Sequence, residues 1–192
     1  MADKPISRYP VPKLEDLPDD IKARFLEVQD KAGFIPNVFF ALAHRPDEFR
    51  AFTAYYDALM EKRGGLSLAE REMIVVATSA ANQCTYCVVA HGAVLRLRAK
   101  NPLLGEQVAI NYRKADLNAR EKAMLDFAMK VCLHSQEVSD EDLAALKPHG
   151  FSDEDVWDIA AIAAFFALSN RMASFLNMRP NDEYYAMARG PA

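Results

Sequence analysis

Two thiols and an imidazole lie close together in the run EMIVVATSAANQCTYCVVAH, at Cys84, Cys87 and His91. On a helix these three positions fall at relative angles of about 0°, 300° and 340°, so they share one narrow stripe. Cys84 and Cys87 are three residues apart, a spacing at which a disulfide needs little backbone change. His91 follows Cys87 by one turn, within reach of its thiol. A base beside a thiol promotes thiolate at neutral pH, and the thiolate is the nucleophile. Redox or nucleophilic sulfur chemistry is therefore the first expectation. Asn82-Gln83 interrupts the apolar pattern just before Cys84. If a new helix starts there, its unpaired amides and positive dipole end add to the preference for S⁻.

Glu72 opens the same run, and two readings of it stay open. Along one unbroken helix it would lie about 18 Å from Cys84, too far for a proton path. Joining the site requires the chain to fold back near Asn82. Otherwise Glu72 is a solvated member of the run Glu70-Arg71-Glu72. Zinc is the rival use of the cysteines, but one C-x-x-C with His91 supplies three ligands where a structural site takes four, so no metal is expected. A thioredoxin-like reading fails for want of a βαβ pattern.

The elements that must position these residues read as helices, expected at 20–32, 36–44, 47–63, 67–82, 84–99, 103–114, 118–134, 139–147, 152–176 and 181–188. Hairpin turns and sustained alternation are missing. Ser67 with Glu70, Asn118 with Glu121, Ser139 with Asp142 and Ser152 with Asp155 read as helix starts. Gly64-Gly65 and Pro148 with Gly150 read as stops. Residues 1–19 carry Pro5, Pro10, Pro12 and Pro18 and read as an extended arm, lying across its own domain or a neighbouring subunit. Residues 20–192 then form one all-α domain with the C-x-x-C core at 66–100. LSLAEREMIVVATSAANQC and LNAREKAMLDFAMKVC echo one another in cap, acidic first turn, apolar body and final Cys. Two related helical halves and helix grammar alone account for this echo equally well.

Composition narrows the classes further. Apolar residues make up 51 % of 192 residues and the net charge is -4. That suffices for a sizeable core, and no basic footprint for nucleic acid is present. The longest apolar run, Ile159 to Leu168, is about half of a membrane span, so no membrane association is expected. With no apolar leader and three cysteines, the chain reads as cytoplasmic. The near-uniformly apolar stretch from Val156 to Leu168 belongs to the core or to an oligomer interface, and Trp157, Phe165 and Phe166 share that default. Cys132 reads as a buried inert thiol. His44, His134 and His149 sit near helix ends, where cap or surface roles are the default. Asn170-Arg171 is a polar pair inside an apolar helix, either satisfying a buried contact or facing the site. Tyr86 either hydrogen-bonds within the site or packs.

The segment from Leu66 to Gly92 resembles the core of the alkylhydroperoxidase D and carboxymuconolactone decarboxylase superfamily, in particular its peroxidase-related branch. The resemblance extends through GFIPNVFFALAHRPDEFRAFTAYYDALM and GFSDEDVWDIAAIAAFFALSNRMASFLN. Its core pattern, Glu then eleven residues, C-x-x-C, three residues and His, falls on Glu72, Cys84, Cys87 and His91. The resemblance implies an AhpD-like helical bundle that reduces hydroperoxides without a cofactor. Cys87 would attack the peroxide and Cys84 resolve it, with His91 and Glu72 moving the proton. A thiol or a lipoyl-type dithiol would reduce the disulfide. It also implies a homo-oligomer, a hexamer first and a trimer or dimer otherwise. One position departs from the family's peroxidases, which carry a second His between the cysteines where this chain has Tyr86; the proton relay is correspondingly shorter. Two other functions fit less well. A lactone decarboxylase-like enzyme has no use for a dithiol, and a non-enzymatic redox sensor lacks any partner motif.

Overall fold

The computed structural model describes residues 5–190. Among these residues every regular element is helical, as the sequence leads one to expect. The α-helices are α1 (Asp19–Ala32), α2 (Asn37–Leu42), α3 (Pro46–Met60), α4 (Leu68–Ala81), α5 (Thr85–Ala99), α6 (Leu104–Asn111), α7 (Ala119–His134), α8 (Asp140–Ala144), α9 (Asp153–Phe175) and α10 (Asp182–Ala186).

Local chemistry sets the starts. Ser67 accepts the Glu70 amide at 3.1 Å while Glu70 accepts the Ser67 amide at 2.7 Å, a reciprocal cap on α4. Asn118 with Glu121 and Ser152 with Asp155 do the same for α7 and α9. At Ser139 both the amide and the hydroxyl donate to Asp142.

Several ends fall short of the sequence-based expectation. Helix α3 stops at Met60 rather than 63. The Arg71 guanidinium donates to the Leu59 carbonyl at 2.7 Å, satisfying a terminal acceptor from another element. Helix α2 ends at Leu42 because Arg45 precedes Pro46, which disfavours helical backbone and then takes the first position of α3. The element expected at 139–147 is only the short α8, followed by a separate 3-10 turn at Lys147–His149. Likewise 103–114 is α6 plus a 3-10 turn at Tyr112–Lys114.

Helices α4 and α9 cross at the centre. Ile74, Val75, Val76, Ile159, Ile162 and Ala163 are sealed from solvent, and α7 covers them with Met124, Leu125 and Ala128. Helix α9 is long and apolar enough to cross a membrane, but more than half of its most apolar 18-residue stretch is buried in the protein. It also buries Asp155, Asp158 and Asn170 there with partners. Trp157 lies outside that core and is 71 % exposed, whereas Phe165 and Phe166 are buried.

The extended stretch at Pro5–Tyr9 runs along the end of α9. The Arg8 amide donates to the Leu176 carbonyl and the Arg179 amide to the Ile6 carbonyl. The first four residues of the expected arm lie outside the described residues.

Candidate active site

The chain reverses direction between α4 and α5 at Asn82-Gln83. Gln83 adopts a left-handed backbone (φ 55°) and the Cys84 amide donates back to the Ser79 carbonyl at 3.0 Å. This fold-back removes the axial separation that a straight helix would impose on Glu72. Cys84 becomes the residue that caps α5, and Cys87 lies in the first turn. Both are free thiols, 1 % and 2 % exposed.

The two thiols are shifted in opposite directions. The Cys84 thiol is lowered to about 6, first by the hydrogen bond from the Cys87 thiol, against burial. The Cys87 amide, the Asn170 side chain and the field of His91 act in the same direction. Cys87 is pushed well above the usual thiol range, because it donates that hydrogen bond and because it is buried. Its sulfur also lies 3.8 Å from the Ser169 hydroxyl.

Glu72 is fully buried, and its Oε2 lies 2.7 Å from His91 Nδ1. The solvated reading of Glu72 is therefore excluded. A carboxylate at Nδ1 selects the tautomer with the N–H on that nitrogen, so that in the neutral ring Nε2 carries the lone pair a general base needs. The ring stands edge-on to Phe166 at 4.8 Å, with Tyr56 beyond at 6.3 Å. The other oxygen of Glu72, Oε1, is 3.1 Å from Arg98 Nη1, at ion-pair distance but not aligned for a hydrogen bond.

Cys87 and His91 open onto one cavity of about 520 Å³, which Cys84 does not line. Val38, Phe39, Phe49, Phe52, Tyr56 and Phe166 give it an apolar wall. Tyr56 and Tyr86 both stay neutral, pushed well above 10 chiefly by burial. The Tyr86 hydroxyl accepts the Val38 amide at 3.0 Å, so the residue between the cysteines fixes the start of α2 against α5. Tyr184 of α10 closes another side, edge-on to Phe34 at 5.0 Å. Two asparagines tie these walls together. The Asn37 amide donates to Asn181 Oδ1 at 2.7 Å, and Asn181 Nδ2 donates to the Ile35 carbonyl at 2.9 Å. Arg96 holds α10 from below through the Tyr184 and Met187 carbonyls.

The four residues singled out by spacing thus meet in space, with Cys84 behind Cys87. Asn170 does both things the sequence left open: it donates to Ser79 and accepts from Asn82, and it favours the charged form of both sulfurs. Arg171 instead lies on the surface. Tyr56, Arg98, Ser169 and Tyr184 escape sequence reading. Only Ser169 has a local signal, being polar beside Asn170 in an apolar helix. Cys132 is half-buried rather than sealed, with Asn82 Nδ2 at 3.5 Å. Among the described residues no three His, Cys, Asp or Glu side chains cluster at metal-binding distance.

The profile of the carboxymuconolactone decarboxylase family matches residues 46–102, which take in all four of these residues and Arg98. A crystal structure from Ralstonia eutropha JMP134, described as an alkylhydroperoxidase AhpD core and an uncharacterized peroxidase-related protein, is 69 % identical. It covers 99 % of this chain and 100 % of its own, with a TM-score of 0.98. The chain belongs to the alkylhydroperoxidase D and carboxymuconolactone decarboxylase superfamily. Another structure similar to this AhpD-like chain, an uncharacterized peroxidase-related protein from Silicibacter sp. TM1040, is 43 % identical. Its TM-score is 0.93, over 98 % of this chain and 99 % of that one. The debrominase Bmp8 shares the AhpD-like fold at 20 % identity, with a TM-score of 0.75 over 97 % of both chains. No curated protein matches the chain significantly.

Proposed function

We propose that this AhpD-like protein is a thiol-dependent peroxidase that reduces organic hydroperoxides through Cys87 and Cys84. One observation carries the reading: Cys87 faces an apolar cavity while an oriented His–Glu pair lies one turn along and a second thiol, held below its usual range, lies behind it. Cys87 passes its proton to His91 Nε2 and attacks the terminal peroxide oxygen. The O–O bond breaks, and the departing alkoxide takes the proton back from His91 to leave as alcohol. Cys87 is then a sulfenic acid. Cys84, already a thiolate, attacks that sulfur, and hydroxide leaves as water with one further proton. The two electrons consumed come from the two thiols, and an external thiol or a lipoyl-type dithiol returns them. In this scheme the lowered thiol is the resolving one, and the attacking thiol is activated only when His91 accepts its proton.

A homo-oligomer, with a hexamer first, and a cytoplasmic setting belong to the same proposal. The exposed apolar side chains of Tyr55, Leu168 and Phe175 support burial against another copy. A non-redox lactone decarboxylase would leave the sulfur pair without a task, and nothing in the molecule favours a pure sensor. One other reading has an observation behind it. The cavity is far larger than hydrogen peroxide requires, so a haloaromatic of the kind carried by the debrominase also fits as an electrophile. Cys87 would take the halogen, the ring a proton, and Cys84 would displace halide with formation of the same disulfide.

The deciding experiment incubates the reduced protein with one equivalent of cumene hydroperoxide. Thiol titration is expected to fall by two per chain, with stoichiometric cumyl alcohol and no change for Cys87→Ser. Unaltered thiols would refute the peroxidase reading. Bromide release from a bromopyrrole without hydroperoxide turnover would replace it with the dehalogenation reading.

A further inference from the structure

Glu72 is a fully buried carboxylate, and His91 takes only one of its two oxygens. The second oxygen of Glu72 faces Arg98, which stands seven residues after His91, two turns along α5 on the same side. The Arg98 guanidinium is itself largely shielded, its side chain 18 % exposed. It is held from the other side by Glu61 at the end of α3, with Nη2 donating to Oε1 at 2.8 Å. Glu61 lines the cavity and is half-exposed there. The groups facing Glu72 from the packed elements are His91 and Arg98 from α5, Tyr56 from α3 with Glu61 just beyond it, and Tyr184 from α10. Both tyrosines remain neutral, so Arg98 supplies the one permanent positive charge in the group.

The contact has the form of a charge lock. Glu72 Oε1 and Arg98 Nη1 are each buried without an aligned hydrogen-bond partner, although they lie 3.1 Å apart. A structural ion pair would optimise its hydrogen bonds. Here the guanidinium is aligned on Glu61 and reaches Glu72 by field. A buried carboxylate without a counter-charge takes up a proton or binds one more tightly.

We infer that Arg98 is a positioning residue for the thiol chemistry: its charge keeps the Glu72–His91 pair free of an extra proton, so that His91 can accept the one from Cys87. Glu61, half-exposed to solvent, aims the guanidinium. This inference rests on the dithiol reading of the site but not on the identity of the oxidant.

The test is the pH profile of Cys87 alkylation by iodoacetamide in the full-length protein, a readout that needs no hydroperoxide. Cys84→Ser in every variant removes the competing thiolate, and peptide mapping assigns the label to Cys87. Arg98→Gln removes the charge and keeps an amide donor. The acid limb of the profile is expected to move up by about one pH unit, so that the rate at neutral pH falls about tenfold and recovers in base. Arg98→Lys should restore the limb to within a few tenths of a unit. Glu61→Gln should leave it in place or move it slightly down. An unmoved limb in Arg98→Gln with native helicity would overturn the inference, as would an equal upward shift in Glu61→Gln, which would mark mere anchoring. Should Arg98→Gln fail to fold, the Lys variant decides: a limb displaced by a full unit despite a retained charge overturns the role. A protein that alkylates as expected but consumes no hydroperoxide would sink the peroxidase reading alone.

Discussion

Two stretches of this chain are written in the same grammar and end in different chemistry. Helix α4 and helix α7 both begin with a reciprocal cap, at Ser67–Glu70 and Asn118–Glu121, and both run through an apolar body to a cysteine. At Cys84 the chain has just reversed through the left-handed Gln83, so the cysteine caps a new helix and its sulfur meets a second thiol. At Cys132 the helix continues to His134 and passes into a 3-10 turn. That thiol sits inside α7 with its proton held more tightly than usual, chiefly by burial. The comparison teaches that the pairing of Cys84 with Cys87, and the opposite shifts of their thiols, come from the reversal, which helix grammar does not encode.

The largest expected effect tests the comparison directly. Cys87→Ser should lower hydroperoxide consumption at least ~100-fold in a coupled assay with excess dithiothreitol, while Cys132→Ser stays within about twofold. Equal losses would erase the distinction between the two stretches. Glu72→Gln keeps the shape of the site but takes the charge from His91. Its rate at neutral pH should fall by about 100-fold, the lower end of what a positioned base contributes.

A titration sharpens the contrast further. Thiolate absorbance should rise by one thiolate per chain around pH 6, the value to which Cys84 is lowered. Cys87 and Cys132 are shifted upward and should stay silent there. Because the Cys87 thiol is the first cause of the lowering, Cys87→Ser should move that step toward the ordinary thiol range. A Cys84→Ser protein that still shows the step would place the anion elsewhere.

Smaller effects concern the scaffold. A Cβ on Gly105 would come within 2.7 Å of the Gly92 carbonyl oxygen, one residue after His91. Gly105→Ala should therefore cost about 1–3 kcal/mol in urea unfolding and lower activity, since backbone cannot yield as a side chain can. Ser67→Ala and Asn118→Ala should each cost about 1 kcal/mol. Near-equal losses would support the view that the two stretches differ in their ends and not in their beginnings.

Much of this molecule is legible in its sequence, for identifiable reasons. Helix starts are written locally, since a short polar side chain and an acidic residue three positions on satisfy the same orphan amides in any context. The sulfur–imidazole stripe is legible because it follows from helix periodicity alone. Ends are less so: α3 stops at Met60 because Arg71, from another helix, takes the Leu59 carbonyl. The partnership of Glu72 with His91 depends on a reversal that Asn82-Gln83 hints at but does not specify. Arg98, Ser169 and Tyr184 enter through tertiary packing, and their types match those of ordinary surface or core positions. Trp157 shows the converse. Sitting in an apolar helix, it reads as core or interface; its exposure excludes the core and leaves the interface.

The knot between Asn37 and Asn181 joins residues that are 144 positions apart. The wall it secures, with Tyr184 behind it, therefore exists only when the fold brings two distant stretches of sequence together. The turn at the cysteines, by contrast, is held by near neighbours in sequence, the Cys84 amide on the Ser79 carbonyl. Local loosening around residue 181 would therefore open this side of the cavity while the turn that carries the two cysteines stays closed.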